Sequence, residues 1–142
     1  MRTFLVLWFL CIISLGAFTQ DLSGRWVSHS YTDVGKFGEI EMILDLTQHA
    51  DNSISGYSKT LFSSSFKVDT VICLLEGYVK KKTAWIAETE ILKNSGLYDN
   101  PCLQEMVLKY IHRNNSETLW GRWASKITTC GSGDINLKKI NP

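Results

Sequence analysis

The sequence has little of several features that define large classes of protein. Its 142 residues include only two prolines, and the formal net charge is +1. A charge so close to zero lacks the dense basic surface that neutralises nucleic-acid phosphates. Beyond the first residues there is no apolar run of the ~20 residues that a membrane-spanning helix needs. The sequence therefore predicts one domain, or two at most, with no nucleic-acid partner and no membrane span in the mature chain.

The sequence also lacks the residue patterns of common catalytic and metal sites. It contains no Gly-x-Ser-x-Gly, no glycine-rich phosphate loop and no His-Glu-x-x-His. The three histidines, His29, His49 and His112, have no metal-ligand spacing. We therefore expect a protein that is not an enzyme and that uses neither a metal ion nor a cofactor.

Three glutamates are the remaining candidates for acid–base chemistry. Glu76, Glu88 and Glu90 fall in two neighbouring predicted strands, and two carboxylates inside a barrel could exchange protons with a substrate. Lys67 and Lys93 lie opposite them. We therefore expect the glutamates to be solvated and paired with these lysines.

The first residues have the layout of a targeting segment. Arg2 precedes an almost unbroken apolar run over residues 4–15, and the small residue Ala17 follows. This is the pattern of a secretory signal peptide, with cleavage predicted just after Thr19. A membrane anchor is the alternative, but the run is shorter than a span requires. The predicted organisation is a signal peptide over residues 1–19 and a single exported domain, secreted or periplasmic, over residues 20–142.

Removal of the signal peptide leaves three cysteines, Cys73, Cys102 and Cys130. Export favours disulfide formation, so an odd number of cysteines predicts one disulfide and one free thiol.

Apolar and polar residues alternate with a period of two through most of the mature chain. The segment over residues 39–46 is the clearest case, since Ile40, Met42, Leu44 and Leu46 all face one way. Turn residues separate eight such segments. The predicted strands are 23–31, 37–48, 53–62, 66–79, 83–92, 102–112, 118–126 and 133–139. Short strands joined by tight turns predict an all-β fold, an eight-stranded antiparallel up-and-down barrel, with a β-sandwich as the alternative.

Hairpin geometry predicts the registers of individual strand pairs. A turn at residues 49–52 pairs Met42 with Ser58, and a loop near residue 129 pairs Trp123 with Ile135. In both hairpins apolar or small residues then meet on one face, which a slip of one residue would destroy.

The same reasoning selects the disulfide partners. A turn near residues 114–116 places Cys102 opposite position 128, so Cys130 lies within the Cα separation that a disulfide needs. Cys73 pairs with positions near 88 in its own hairpin, far from both. We predict a Cys102–Cys130 disulfide and a reduced, buried Cys73.

The start of the first strand carries a family resemblance. Gly24-Arg25-Trp26 is a Gly-x-Trp that opens an eight-strand pattern after a signal peptide, and in this it resembles the lipocalin and avidin superfamily. With the late Cys102 and Cys130, the layout also resembles small secreted lipocalin-like proteins of Bacteroidetes. The resemblance implies that Trp26 plugs one end of the barrel and that the other end binds a small ligand.

The avidin-like positions imply some ligand contacts and argue against others. The resemblance places Ser28 and Thr60 at polar ligand-contact positions. It also places Ser58 where avidin carries a ligand-binding tyrosine, which argues against biotin. The first strand further resembles that of the bacterial periplasmic metalloprotease inhibitors, which are eight-stranded barrels with one disulfide. A protein-binding barrel is therefore the second hypothesis.

A meander places alternate loops at the same end of the barrel. If Trp26 closes one end, the opposite end is a mouth formed by the loops near 32–36, 63–65, 93–101 and 127–132. The longest of these loops contains Leu97 and Tyr98. The predicted inner wall is Ser28, Met42, Leu44, Ser58, Thr60, Met106, Leu108, Tyr110 and Trp123, and the candidate ligand-binding residues are Ser28, Met42, Ser58, Thr60, Tyr98 and Tyr110. Such a wall describes a small-molecule site and a filled core equally well.

Overall fold

The computed structural model describes residues 20–31, 39–63, 67–95, 102–127 and 130–140. Eight strands form a closed barrel in which each strand is antiparallel to its sequence neighbours and β1 pairs with β8. The strands are β1 (Gly24–Tyr31), β2 (Glu39–Gln48), β3 (Ser53–Ser63), β4 (Val68–Lys80), β5 (Thr83–Asn94), β6 (Gln104–Arg113), β7 (Ser116–Ser125) and β8 (Ser132–Ile140).

The predicted fold class is confirmed, and closure of the sheet excludes the sandwich. Every predicted strand corresponds to an observed one, with ends displaced by at most about two residues, the usual uncertainty of strand limits. Within the described ranges no helix has the length and apolarity needed to cross a bilayer. The predicted signal peptide over residues 1–19 lies outside the described residues.

Three tight turns lie at one end of the barrel. The β6–β7 turn has two consecutive residues with positive φ, Asn114 (50°) and Asn115 (61°), which is the backbone of a type I′ hairpin turn. The β4–β5 turn reverses at Lys81 (φ 57°) and the β2–β3 turn at Asn52 (φ 66°). Asparagine tolerates the left-handed region better than most residues, so the sequence itself favours reversal at Asn52, Asn114 and Asn115.

The β2–β3 register differs from the predicted one by two residues. Met42 pairs with Thr60, not with Ser58. His49 accepts a hydrogen bond from the backbone amide of Asn52 (2.9 Å), and the left-handed Asn52 makes this loop asymmetric. The asymmetry displaces the pairing from the centre assumed for the turn. Because the shift is by two residues, every side chain keeps its predicted face.

The β7–β8 register is also shifted by two residues. Trp123 pairs with Gly133, not with Ile135, which instead faces Gly121. The ring of Trp123 covers Gly133, where a Cβ atom would lie 3.0 Å from the indole Nε1. Pairing the largest side chain with a glycine leaves room for the ring inside the barrel.

The β4–β5 ladder contains two irregularities that the sequence pattern did not reveal. They lie between Ile72 and Cys73 and between Leu74 and Leu75. As a result Cys73 pairs with Ile91, rather than with a position near 88 as predicted. Bulges increase local twist and re-aim side chains next to them.

Two of the eight ladders are short. β5 pairs with β6 only over Thr83–Ala87 and Glu105–Lys109, and β1 pairs with β8 only over Arg25–Val27 and Lys138–Ile140. Both ladders lie toward the end that holds the three tight turns. The strands are therefore all hydrogen-bonded to their neighbours at that end. Toward the other end, β5 separates from β6 and β1 separates from β8.

The hydrophobic core fills the barrel at the end with the tight turns. Its fully buried members come from most of the strands and include Leu22, Trp26, Leu44, Leu75, Leu108, Leu119 and Leu137. We call this the plug end and the opposite end the mouth end. The mouth end collects the ends of β1, β3, β5 and β7, and the predicted mouth loops that follow these strands lie largely outside the described residues.

Candidate ligand-binding site

The plug end is sealed around Trp26. The indole is fully buried, and its Nε1 donates a hydrogen bond to the carbonyl of Leu22 (2.9 Å). The edge of Tyr110 packs against it, with ring centroids 6.4 Å apart and planes at 81°. The Lys139 ammonium lies 5.4 Å from the ring centroid on the outer side. A buried aromatic with its polar atom satisfied and a cation over its face is a stable closure.

Tyr110 belongs to this closure and not to the mouth end. Its hydroxyl donates a hydrogen bond to Glu117 (2.7 Å), whose carboxylate also contacts Lys139 (3.4 Å). Burial, together with the adjacent Glu117, raises the pKa of Tyr110 to about 12. The structure therefore separates this candidate from the other predicted ligand contacts.

Four other candidates lie together on the inner wall. Ser28, Met42 and Thr60 occupy adjacent register positions on β1, β2 and β3, and all three are buried. Ser58 lies two residues along β3 toward the plug end and is almost completely buried. The last candidate, Tyr98, lies outside the described residues.

Glu88 is the main residue of the site that the sequence reading missed. Only 6% of it is exposed, and its two carboxylate oxygens accept hydrogen bonds from different strands. Ser58 Oγ donates to Oε1 (2.5 Å), and the backbone amide of Gln104 donates to Oε2 (2.9 Å). The Cys73 thiol donates to the same carboxyl group. Glu88 thus connects side chains or backbone of β3, β4 and β6 inside the barrel.

The expectation that Glu88 is solvated and paired with a lysine is wrong. Lys67 instead pairs with Asp69 (2.7 Å) at the edge of the barrel. Glu88 faces inward because Ala84 and Ile86 do, and all three have the same parity along β5. That alternation was the signal that could have identified it. The other two glutamates of this pair of strands, Glu76 and Glu90, are exposed.

The surroundings of Glu88 change the acidity of two groups. Burial raises the pKa of the Glu88 carboxyl above its usual range, and the hydrogen bonds from Ser58, Gln104 and Cys73 offset part of this. Burial and the neighbouring Glu88 raise the pKa of the Cys73 thiol to about 12. Both groups are therefore held toward their neutral forms.

Gln104 adds an unpaired hydrogen-bond acceptor to the cluster formed by Ser58, Cys73 and Glu88. Its side-chain Oε1 is buried and has no hydrogen-bond partner, which is rare in folded proteins. Gln104 continues the inward alternation of Met106 and Leu108 on β6. Sequence reasoning missed it because the alternation was not extended to the start of the strand.

The two predicted disulfide partners lie just beyond this cluster. The Cα atoms of Cys102 and Cys130 are 6.2 Å apart, and their sulfur atoms are bonded. This confirms the predicted pairing, and Cys73 is a free, buried cysteine as predicted. Because Cys102 is two residues before Gln104, the disulfide anchors β6 next to the buried carboxyl.

His29 and His49 are engaged on the outside of the barrel. His29 Nδ1 lies 3.3 Å from Glu41, and His49 Nε2 lies 2.8 Å from the Ser55 hydroxyl. Over the described ranges, no group of three or more His, Cys, Asp or Glu side chains is arranged to hold a metal ion.

Comparison of the chain with protein-family models, with curated proteins and with solved structures finds no match.

Proposed function

We propose that this protein is an exported, non-catalytic binding protein that holds one small apolar or amphipathic molecule at the mouth end of its barrel. The resemblance of its first strand to the lipocalin and avidin superfamily is part of this proposal. The disulfide is compatible with an extracellular or periplasmic location, where such bonds persist.

The observation that carries the proposal is the uneven lining of the barrel. Apolar side chains fill the plug end, whereas hydroxyl and carboxyl groups are buried on the inner wall nearer the mouth end. A buried polar group costs free energy that an apolar residue of similar size would not. Ser28, Thr60 and Glu88 therefore favour a site that recognises polar groups of a ligand between apolar walls such as Met42.

The chemistry of the same residues favours binding over catalysis. The thiol of Cys73 has a pKa raised to about 12, so very little of it is the thiolate that a nucleophile requires. The hydroxyl of Ser58 uses its proton to donate to Glu88, and no imidazole is placed beside either group within the described residues. An acyl-transfer enzyme would need such a base next to its nucleophile.

A pair of substitutions on β3 tests the proposal. Thr60→Phe places a ring inside the barrel, whereas Lys59→Phe places the same ring on the exposed outer face. The probe is the neutral amphipathic dye N-phenyl-1-naphthylamine, titrated by its fluorescence. We expect saturable binding of one dye by the unmodified protein and by Lys59→Phe, with at least about tenfold weaker binding by Thr60→Phe.

Circular dichroism of each variant checks that the barrel is retained. Equal binding by all three proteins would place the dye outside the barrel and contradict the proposal. Absence of any saturable binding, with a protein partner recovered instead, would favour the protein-binding hypothesis.

A further inference from the structure

We infer that Glu88 and Gln104 form a subsite for a ligand's ammonium group, so that the molecule held by the barrel is an amphipathic amine. This inference rests on the proposed binding function and specifies the class of ligand. It rests on two observations. Hydrogen-bond acceptors around these two side chains are not all used, and no cation is paired with Glu88 within the described residues.

The subsite offers acceptors that the protein itself does not fully use. Glu88 accepts only from neutral donors, Ser58 Oγ, the Gln104 backbone amide and the Cys73 thiol, and Gln104 Oε1 has no partner at all. An alkylammonium group carries three hydrogen-bond donors and no acceptor. Such a group can satisfy the free acceptor of Gln104 and contact the Glu88 carboxylate at the same time.

The charge of Glu88 has no counterpart in the surrounding wall. The strands around it carry both acidic and basic residues, and all of these except Asp69 are exposed on the outside: Lys59, Glu76, Lys80, Glu90, Lys93, Glu105, Lys109 and Arg113. Asp69 on β4 is already paired with Lys67, and the one other inward titratable group beside Glu88 is the neutral Cys73. Within the described residues the carboxyl is therefore a buried acid without a cation. Ionising it becomes favourable when a cation enters, because ion pairs are stronger away from water.

The position of the subsite allows a ligand to reach it from the mouth end. The β5–β6 ladder stops at Ala87 and Glu105, so β5 and β6 are no longer paired through backbone hydrogen bonds beside Glu88. Gln104 is the first residue of β6 and follows the disulfide cysteine Cys102 by two positions. A head group bound here leaves the apolar tail directed toward the mouth end.

The test uses three probes with the same tail and different heads: octylammonium, octanol and octanoate. Binding to the purified protein is measured by isothermal titration calorimetry at neutral pH. The variants are Glu88→Gln and, as a matched control, Glu90→Gln, which removes the same charge from the exposed face two residues along β5. The control separates a specific contact from the change in net charge.

We expect the unmodified protein and Glu90→Gln to bind octylammonium at least about tenfold more tightly than octanol, as a charge-assisted hydrogen bond allows. Glu88→Gln should lose this preference and still bind octanol. Equal affinity for the three heads, or tightest binding of octanoate, would overturn the ammonium subsite and leave the proposed binding function standing. Failure of all three probes to bind would contradict both.

A second measurement needs only the unmodified protein, in case Glu88→Gln does not fold. At a pH below the raised pKa of Glu88 the free carboxyl is protonated, and binding of an ammonium there displaces that proton. The affinity for octylammonium should therefore rise with pH, by up to about tenfold per unit, until the pH passes the raised pKa of Glu88. The affinity for octanol should not rise. A flat profile for octylammonium across the acidic range would contradict the inference.

Discussion

The backbone amide of Gln104 donates a hydrogen bond to Glu88 Oε2 (2.9 Å). The Glu88 side chain thus supplies the acceptor that the backbone of a neighbouring strand would otherwise provide, at the point where the β5–β6 ladder has ended. The other oxygen of the same carboxyl accepts from Ser58 on β3. Glu88 therefore holds together, from inside the barrel, strands that are not neighbours in the sheet. Its protonation state should influence both the stability of the barrel and the chemistry of its interior.

The first prediction concerns the pH dependence of stability. Burial raises the pKa of Glu88 in the folded state above its value in the unfolded chain. The contribution of Glu88 to the free energy of unfolding is then fully present below the unfolded-state pKa and is lost as the pH rises through the folded-state pKa. Replacement by glutamine removes this loss, because an amide does not titrate.

Urea denaturation between about pH 4 and pH 8 measures this effect against the ordinary range of a glutamate. The stability of Glu88→Gln relative to the unmodified protein should improve steadily as the pH rises. Glu90→Gln is exposed and should show no such trend. A constant difference between Glu88→Gln and the unmodified protein over the whole range would mean that Glu88 titrates normally.

The second prediction compares two tryptophans with opposite environments. Trp26 is fully buried, whereas Trp120 is 51% exposed on the outside of β7. Trp26→Ala should lower the free energy of unfolding by about 3–5 kcal/mol, the range for large aromatics in cores. Trp120→Ala should change it by no more than about 0.5 kcal/mol. A loss below about 1 kcal/mol for Trp26→Ala would contradict its role as the plug.

The third prediction concerns the cysteines. Native protein treated with iodoacetamide near pH 8 should leave Cys73 unmodified, because it is buried and its pKa is raised to about 12. Of Cys73, Cys102 and Cys130, unfolding without reductant should expose only Cys73 as a free thiol, and peptide mapping should recover Cys102 joined to Cys130. Any disulfide that includes Cys73 would contradict the pairing.

Removal of the disulfide has a separate consequence. The two cysteines are 28 residues apart in sequence, and Cys102→Ser with Cys130→Ser should cost roughly 3 kcal/mol of stability by releasing this loop in the unfolded state. An unchanged thermal midpoint would show that the bond contributes nothing to stability.

The fourth prediction locates function at the mouth end. Replacing Leu97 and Tyr98 with serine should weaken binding of the naphthylamine dye by about tenfold, or 1.4 kcal/mol, with little loss of stability. Lys81 and Lys82 are exposed at the plug end, in the β4–β5 turn, and serve as the control pair. Dye binding that depends on Lys81 and Lys82 and not on Leu97 and Tyr98 would show that the dye binds at the opposite end of the barrel from the one proposed.

Period-two alternation was sufficient to predict the strands, because a half-buried strand needs nothing more than one apolar face. The registers needed more information. A left-handed Asn52 and a glycine beneath Trp123 each displaced a hairpin by two residues, and turn position alone does not reveal such packing. Since each shift preserved the inward face, the predicted wall of Ser28, Met42 and Thr60 was still correct.

Glu88 shows where sequence reasoning failed. Its nearby lysines suggested surface pairs, yet parity with Ala84 and Ile86 places it inside. Its contacts with Ser58 and Gln104 join strands that are distant in sequence, so no local pattern could have indicated them. The prediction that Tyr110 binds ligand failed for a different reason. Its side chain faces inward as predicted, but its position along the barrel places it beside Trp26 at the plug end.

The central claim is that the barrel holds one small molecule at its mouth end. Native mass spectrometry of the protein purified from the organism that encodes it tests this most directly. We predict a complex with a single small molecule that is absent from Thr60→Phe and retained by Lys59→Phe. A mass equal to the polypeptide alone for all three proteins, or the same adduct on Thr60→Phe, would contradict the claim.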